Sequence, residues 1–323
     1  MVPASHRTST CPRAPCASEV PSPVAQRRWR APYHVSVPLL LGVHARGAGD
    51  PTYAVDRTGA VWRTARTPDG PGTVRLAVES DVVAVASWGP GAAWLVEMAP
   101  SWLACDDDLT GWAPDSPVLR DGARRFSGPR LGRTGLVMEA LIPAILEQKV
   151  TGAQSRSSWR WLVRRYGEPA PGPAAGMAVV PEPSAWAAIP SWDWHRAGVG
   201  PQRSATAVRA AGLAARLEQA ASMTSAQADA RLRAVPGVGA WTAAEVRQRA
   251  LGDADAVSVG DAHVPRMITY ALTDQVSDTD EDMLAALEPY RGHRFRVQRV
   301  LELSGVPTPR FGPKYSPHDF RGM

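Results

Sequence analysis

Residues 232–266 read LRAVPGVGAWTAAEVRQRALGDADAVSVGDAHVPR. The stretch opens on the end of a helix, passes through Pro236-Gly237-Val238-Gly239 and enters a second helix at Trp241. Two helices joined by a glycine-bracketed turn form a helix-hairpin-helix candidate. Glycine permits positive φ and leaves no Cβ between backbone and ligand. The N–H groups of Gly237, Val238, Gly239 and Ala240 are then expected at the start of the second helix, unpaired and pointing outward. Such groups make a ready site for a backbone phosphate, and contact of this kind positions DNA without reading its sequence. An ordinary αα turn has the same residue pattern, so the hairpin alone leaves both readings open. Further on, Val259-Gly260-Asp261-Ala262-His263-Val264-Pro265-Arg266 places a carboxylate after a glycine at the start of another helix. Backbone amides and the helix dipole favour an anion in that register. A purely structural cap would look the same.

The surrounding chain has 323 residues, 44% of them hydrophobic and 21% charged, a globular composition. It is long enough for two domains. The longest apolar run, Val35–Val43, contains Pro38 and is too short to span a bilayer. No secretory signal is read at the N-terminus, so a cytoplasmic, nucleoid-associated location of bacterial type is expected. Cys11, Cys16 and Cys105 are too few for a disulfide framework or a four-cysteine cluster, and no zinc site is expected at Cys11 and Cys16. The net charge of +5 is unevenly spread. Residues 1–30 carry five Arg and one Glu, and residues 31–120 carry six basic and ten acidic residues. The remaining 25 basic and 20 acidic residues lie in 121–323. The excess therefore sits in the N-terminal arm and in the C-terminal two thirds, a weak sign of a polyanionic partner.

An α+β fold follows from the patterning. Residues 1–30, rich in Pro, Ser, Ala and Arg, read as a disordered basic arm. Residues 31–120 read as an antiparallel β-sheet domain, with strands at Tyr33–Val37, Tyr53–Val55, Ala60–Arg66, Thr73–Val78, Val82–Ser87 and Ala93–Val96. A hairpin turn falls at Asp56–Gly59, and one or two helices are expected around Trp94–Leu103. Residues 121–303 read as an all-α domain, and 304–323 as a tail. Its helices are expected near Gly135–Glu147, Trp159–Tyr166, Ala185–Ala188, Arg203–Leu217, Ala226–Val235, Trp241–Ala250, Val264–Leu272, Asp280–Leu287 and His293–Leu303. Glu168–Gly176 reads as a loop.

VPGVGAWTA and VGDAHVPR, preceded by the helix ALIPAILEQKV, resemble the helix-hairpin-helix DNA glycosylases of base-excision repair over roughly residues 120–303. The stretch GDPTYAVDRTGAVWRTARTPDGP is similar to the N-terminal domain of the AlkA-like branch, 3-methyladenine DNA glycosylase II. The resemblance implies a monofunctional glycosylase acting as a monomer on double-stranded DNA with a damaged base. It would flip alkylated bases of the 3-methyladenine or 7-methylguanine type and hydrolyse the N-glycosidic bond. Glycosylases for deaminated or oxidised bases, and a noncatalytic lesion-binding protein, are the alternatives.

The family's catalytic aspartate falls on Asp261. The lysine nucleophile of its bifunctional lyases falls on Trp241, so no abasic-site lyase activity is expected. A tryptophan there lines the base pocket in the AlkA-like branch. Gln148 matches the family's glutamine at the end of the first helix. Lys149 stands where that branch has an apolar wedge. Its stem could fill the gap while its amine reaches a phosphate, or another residue is the wedge. Both residues would also suit a solvated helix C-terminus. Glu245 replaces an aromatic residue of some relatives, which leaves the rest of the pocket lining open. Thr242 and Arg266 join the hairpin residues as expected DNA contacts, and His263 is expected to be structural. The arginines of the Arg291–Arg299 run could line the DNA face or a solvated helix face. No cofactor or catalytic metal is required, though hairpin carbonyls in this family often hold a structural monovalent cation.

Overall fold

The computed structural model describes residues 21–126 and 129–307. Residues 1–20 of the expected arm, with Cys11 and Cys16, and residues 308–323 of the tail lie outside the described residues. The N-terminal part is a five-stranded antiparallel sheet in the order β1-β5-β4-β3-β2. Its strands are β1 (Ala25–Arg30), β2 (Tyr53–Val55), β3 (Val61–Thr67), β4 (Gly70–Glu79) and β5 (Val82–Trp88). The Asp56–Gly59 turn connects β2 and β3, closed by Gly59 N–H on the Asp56 carbonyl at 3.0 Å. Asp56 also accepts from Thr58 and from Trp62 Nε1. Those hydrogen bonds, to Thr58 first and then to Trp62, hold its carboxyl far below the usual range.

Three local expectations are corrected. Residues 25–30, assigned above to the arm, form the edge strand β1 paired with β5. Its exposed Arg27 and Arg28 hid the strand pattern in composition, and charged side chains are what an edge tolerates. The Tyr33–Val37 segment is not a strand. Pro38, which lacks a ladder donor, instead sits in the first turn of a short helix, α1 (Val37–Leu41). Ala93–Val96 belongs to a helix, α2 (Ala92–Trp102), which lays Leu95, Ala99 and Trp102 on the sheet.

The helical part contains α3 (Pro117–Arg125), α4 (Val137–Glu147), α5 (Gly152–Tyr166), α6 (Pro183–Ala188) and α7 (Ser191–Arg196). It continues with α8 (Pro201–Gly212), α9 (Ala214–Glu218), α10 (Ser225–Arg233) and α11 (Ala240–Val246). Last come α12 (Val264–Thr273), α13 (Asp280–Leu287) and α14 (Arg294–Ser304). The expected Glu168–Gly176 loop contains Glu168–Pro169, which pair with Ala178–Val179 in a short second sheet.

Two apolar cores divide these helices where one domain was expected. One is centred on the almost wholly buried α4, with Trp159, Trp186 and Trp194 stacked beside it. The other joins Leu119 of α3, far away in sequence, to Ile268, Met283, Leu287 and Leu301. The chain thus crosses from the sheet into the second helical core and back to the first. An αα apolar pattern specifies which face is buried but not which partner covers it.

The sheet and the loop before β2 are joined to α4 and α5 by buried polar contacts. Arg63 pairs with Glu139 at 3.1 Å, Arg46 with Glu147 at 3.0 Å, and Trp159 Nε1 donates to Asp50. Burial lowers the pKa of both arginines, and the facing carboxylates oppose it. Arg63 also lies over the Trp102 ring at 4.3 Å. At the other end of α4, Glu218 accepts from Val137 N–H and Met138 N–H, both at 2.9 Å, and so caps a helix that has no side-chain cap of its own.

Candidate active site

The hairpin is built by α10, the turn to Gly239, and α11. Thr224 and Gln227 form a capping box that starts α10. Gly237 has φ +99°, and a Cβ there would lie 2.1 Å from Thr206 Oγ1. Only glycine fits. Gly239 differs. Its backbone is extended and nothing lies within 4 Å of an added Cβ, so its bare Cα leaves the hairpin surface open.

The amides only partly match expectation. Among the described residues Gly237, Gly239 and Ala240 N–H have no recorded protein acceptor. Val238 N–H is taken by the Val235 carbonyl at 2.9 Å and its side chain is buried. Thr242, expected at the DNA, is buried too. Its hydroxyl accepts from Gln148 Nε2 at 2.8 Å, and the same amide donates to the Gly237 carbonyl at 3.0 Å. Gln148, half-buried at the C-cap of α4, therefore bolts the hairpin to the central helix. Lys149, the next residue, is exposed with φ +54°, a left-handed conformation costly for a side chain of this kind.

The resemblance implies a monovalent cation on the hairpin carbonyls. Here Val235 O accepts from Val238 N–H, Pro236 O from the Arg209 guanidinium and Gly237 O from Gln148. With a guanidinium already on it, the Pro236 carbonyl is not open to such an ion. Among the described residues no His, Cys, Asp and Glu cluster could hold a metal.

Asp261 is held at both oxygens. Oδ1 accepts from His263 N–H at 2.8 Å and Val264 N–H at 3.0 Å, the first free amides of α12. Oδ2 accepts from Trp241 Nε1 at 3.0 Å. The tryptophan in the first turn of α11 thus ties the hairpin to the carboxylate. Arg266, expected at a phosphate, is instead paired with Asp278, its Nε donating at 2.6 Å. His263 stands at the N-cap position of α12 with an exposed side chain that makes no cap hydrogen bond. In the Arg291–Arg299 run, Arg291 pairs with Glu288, Arg294 with Asp255, Arg296 with Asp107 and Arg299 with Glu302.

A cavity of about 490 Å³ adjoins Asp261 and Trp241. It is assembled where the sheet's Tyr33–Val43 segment meets both helical cores, with Phe295 and Arg299 of α14 on its far side. Of the 12 tryptophans, Trp241 is the one that lines it. One wall is polar and was not anticipated. Glu245, Gln248, Ser258 and Gln298 are all buried there and bonded to one another. Nothing in the sequence marked Ser258 or Gln298; only the glutamate in an aromatic position hinted at a polar lining. Arg249 Nη1 donates to Glu245 Oε2 at 2.6 Å. Burial opposes the charge on Arg249, but Glu245 and Glu147 outweigh it and raise its pKa. A second hollow of about 420 Å³, between Asp106–Asp108 and Arg291–His293, contains none of the expected site residues.

This fold recurs in solved structures. A 3-methyladenine DNA glycosylase from Archaeoglobus fulgidus superimposes with a TM-score of 0.74 over 87% of this chain and 99% of its own, at 18% identity. The chain has the fold of the helix-hairpin-helix DNA glycosylases. An 8-oxoguanine glycosylase/lyase from Clostridium acetobutylicum shares the glycosylase fold, with a TM-score of 0.67, 12% identity, and coverage of 88% of this chain and 97% of that one. No protein-family model and no curated protein matches the sequence. Among the described residues no helix is long and apolar enough to cross a membrane.

Proposed function

We propose that the protein is a monofunctional DNA glycosylase of base-excision repair that hydrolyses the N-glycosidic bond of alkylated purines. The observation that carries this reading is Asp261. It is a carboxylate fixed by two helix amides and an indole N–H, on the rim of a cavity roomy enough for a base and beside a glycine hairpin with free amides. A base in the duplex stack must be flipped out to reach it, and a damaged pair makes this easier. Free amides at Gly237, Gly239 and Ala240 suit a phosphate of the flipped strand, and Lys149 stands exposed beside the hairpin's anchor to occupy the gap.

The bond breaks through an oxocarbenium-like state. A purine alkylated at N3 or N7 already carries positive charge and leaves without a protein acid, so one carboxylate is enough. Asp261 stabilises the sugar cation and orients water. The two lysines of the chain are Lys149 and Lys314, and among the described residues no amine lines the cavity. That supports hydrolysis without Schiff-base chemistry.

A second reading, release of oxidised bases that keep their amino group, is favoured by the polar wall, since such pockets hold neutral bases by hydrogen bonds. Release assays on duplexes carrying 3-methyladenine, 7-methylguanine, hypoxanthine, uracil or 8-oxoguanine separate the two. Release of an alkylated base, lost in Asp261→Asn with DNA binding retained, is the expected result. Release of an oxidised base alone overturns the alkylation reading. No release of any base leaves a noncatalytic binding protein. Trp241→Lys tests whether the lyase is missing only for want of an amine.

A further inference from the structure

The polar wall of the cavity has an unusual property: its donors are all used. Ser258 Oγ donates to Glu245 Oε1 at 2.8 Å and accepts from Gln248 Nε2 at 2.9 Å and Gln298 Nε2 at 3.1 Å. The second hydrogen of Gln248 Nε2 goes to the Ala256 carbonyl at 2.7 Å, and that of Gln298 Nε2 to Glu302 Oε1 at 2.9 Å. One hydroxyl thus gathers both amides and turns every N–H and O–H of the four side chains inward. What remains is acceptor capacity. Each Glu245 oxygen receives one side-chain hydrogen bond and keeps a lone pair, and Gln248 Oε1 has only Arg249 Nη1 at 3.5 Å. Glu245, Gln248 and Ser258 are respectively 8%, 5% and 1% exposed, so water does not freely satisfy these oxygens.

Local structure puts them there. After α11 the chain makes one π turn, Arg247–Leu251, ended by Gly252 at φ +68°. A wider turn shifts the register of the following side chains, and such turns recur at functional sites. Ser258 comes from the loop before Asp261 and Gln298 from α14, so both helical cores must be docked for the wall to exist.

We propose that this wall reads the edge of the flipped base and selects an amino-bearing purine over its amino-free, 6-keto counterpart, with Glu245 as the specificity-determining residue. The inference rests on the glycosylase reading above. An amino group donates to the spare lone pairs of Glu245 and Gln248. A keto oxygen in the same place sets acceptor against acceptor and leaves buried groups unpaired, the situation by which sites discriminate most strongly.

The test uses three bases with the same N7 methyl: 7-methyladenine, 7-methylguanine and 7-methylhypoxanthine. Single-turnover release from each duplex is divided by its uncatalysed loss. For the wild-type chain at least one amino-bearing base is expected to exceed 7-methylhypoxanthine by about 10-fold or more. Glu245→Gln, which offers a donor where a lone pair stood, is expected to bring that ratio to within about threefold of unity. Gln248→Met removes the spare amide oxygen without touching an ion pair and is expected to lower the ratio by about threefold. It serves if thermal melting shows that Glu245→Gln does not fold. A wild-type ratio near unity, or a ratio unchanged in the folded variants, overturns the proposal while Asp261→Asn still abolishes release of all three. If the wild type releases none of them, the glycosylase reading itself fails and this inference falls with it.

Discussion

The hairpin and the cavity wall both draw on one helix, α11, yet they are built in opposite ways. The hairpin is local: a capped helix, a glycine at φ +99° and a turn, all within Thr224–Val246. The wall is assembled from residues far apart in the chain, Glu245 to Gln298, and exists only when two cores meet. The local element leaves amides free for an anionic ligand. The remote one consumes its own donors and leaves acceptors. A chain can therefore keep one glycine hairpin while the chemistry of the pocket varies, because nothing in the hairpin determines what faces it across the cavity.

The comparison can be broken most sharply at the point where the two halves join. Asp261→Asn keeps the cap to His263 and Val264 but removes the charge, and base release is expected to fall by at least about 10³-fold with DNA affinity nearly unchanged. Loss of affinity in parallel with rate would mean that hairpin and carboxylate are not separable. Gly237→Ala should damage the hairpin alone, through positive φ and the clash with Thr206, costing about 2 kcal/mol or more in a urea melt and weakening binding to undamaged duplex. The amino-to-keto preference of the surviving folded fraction should not change.

Gln148→Ala is milder. It removes the two hydrogen bonds that bolt the hairpin to α4 and should cost about 1–2 kcal/mol, with the weakened DNA binding appearing chiefly in the dissociation rate. The smallest effect is expected at the far end of α4. Burial raises the pKa of Glu218, and the Met138 and Val137 amides only partly offset it. A carboxyl whose folded pKa lies above its unfolded one contributes stability at low pH that is lost as the pH rises through the folded value. Wild-type stability, measured by urea melts from the ordinary carboxylate range up to neutrality, should fall relative to Glu218→Gln over that interval. A difference that grows in the other direction would mean that the helix amides dominate.

Particular residues show how much was legible beforehand. Strands β2 to β5, the Asp56–Gly59 turn and the helices starting at Val264 and Asp280 were readable because their periodicity and turn chemistry are local. Edge strand β1 was missed because its arginines carry no apolar alternation. Gln148 and Thr242 were assigned to DNA, whereas the structure turns them toward each other. Arg266 was assigned to a phosphate and is engaged by Asp278, which sequence cannot pair with it.

By itself, then, the sequence determined the sheet-then-helices order, the hairpin, and the position of Asp261 at a helix start. Each depends on φ preferences, capping or periodicity within a few residues. Only the tertiary structure decided that Trp241 holds Asp261, that two helical cores frame the cavity, and that the buried Glu245 and Gln248 are left there with spare acceptors and no spare donor. Hydrogen bonds across the fold carry no sequence spacing. They are settled by which lone pairs and protons burial leaves without water.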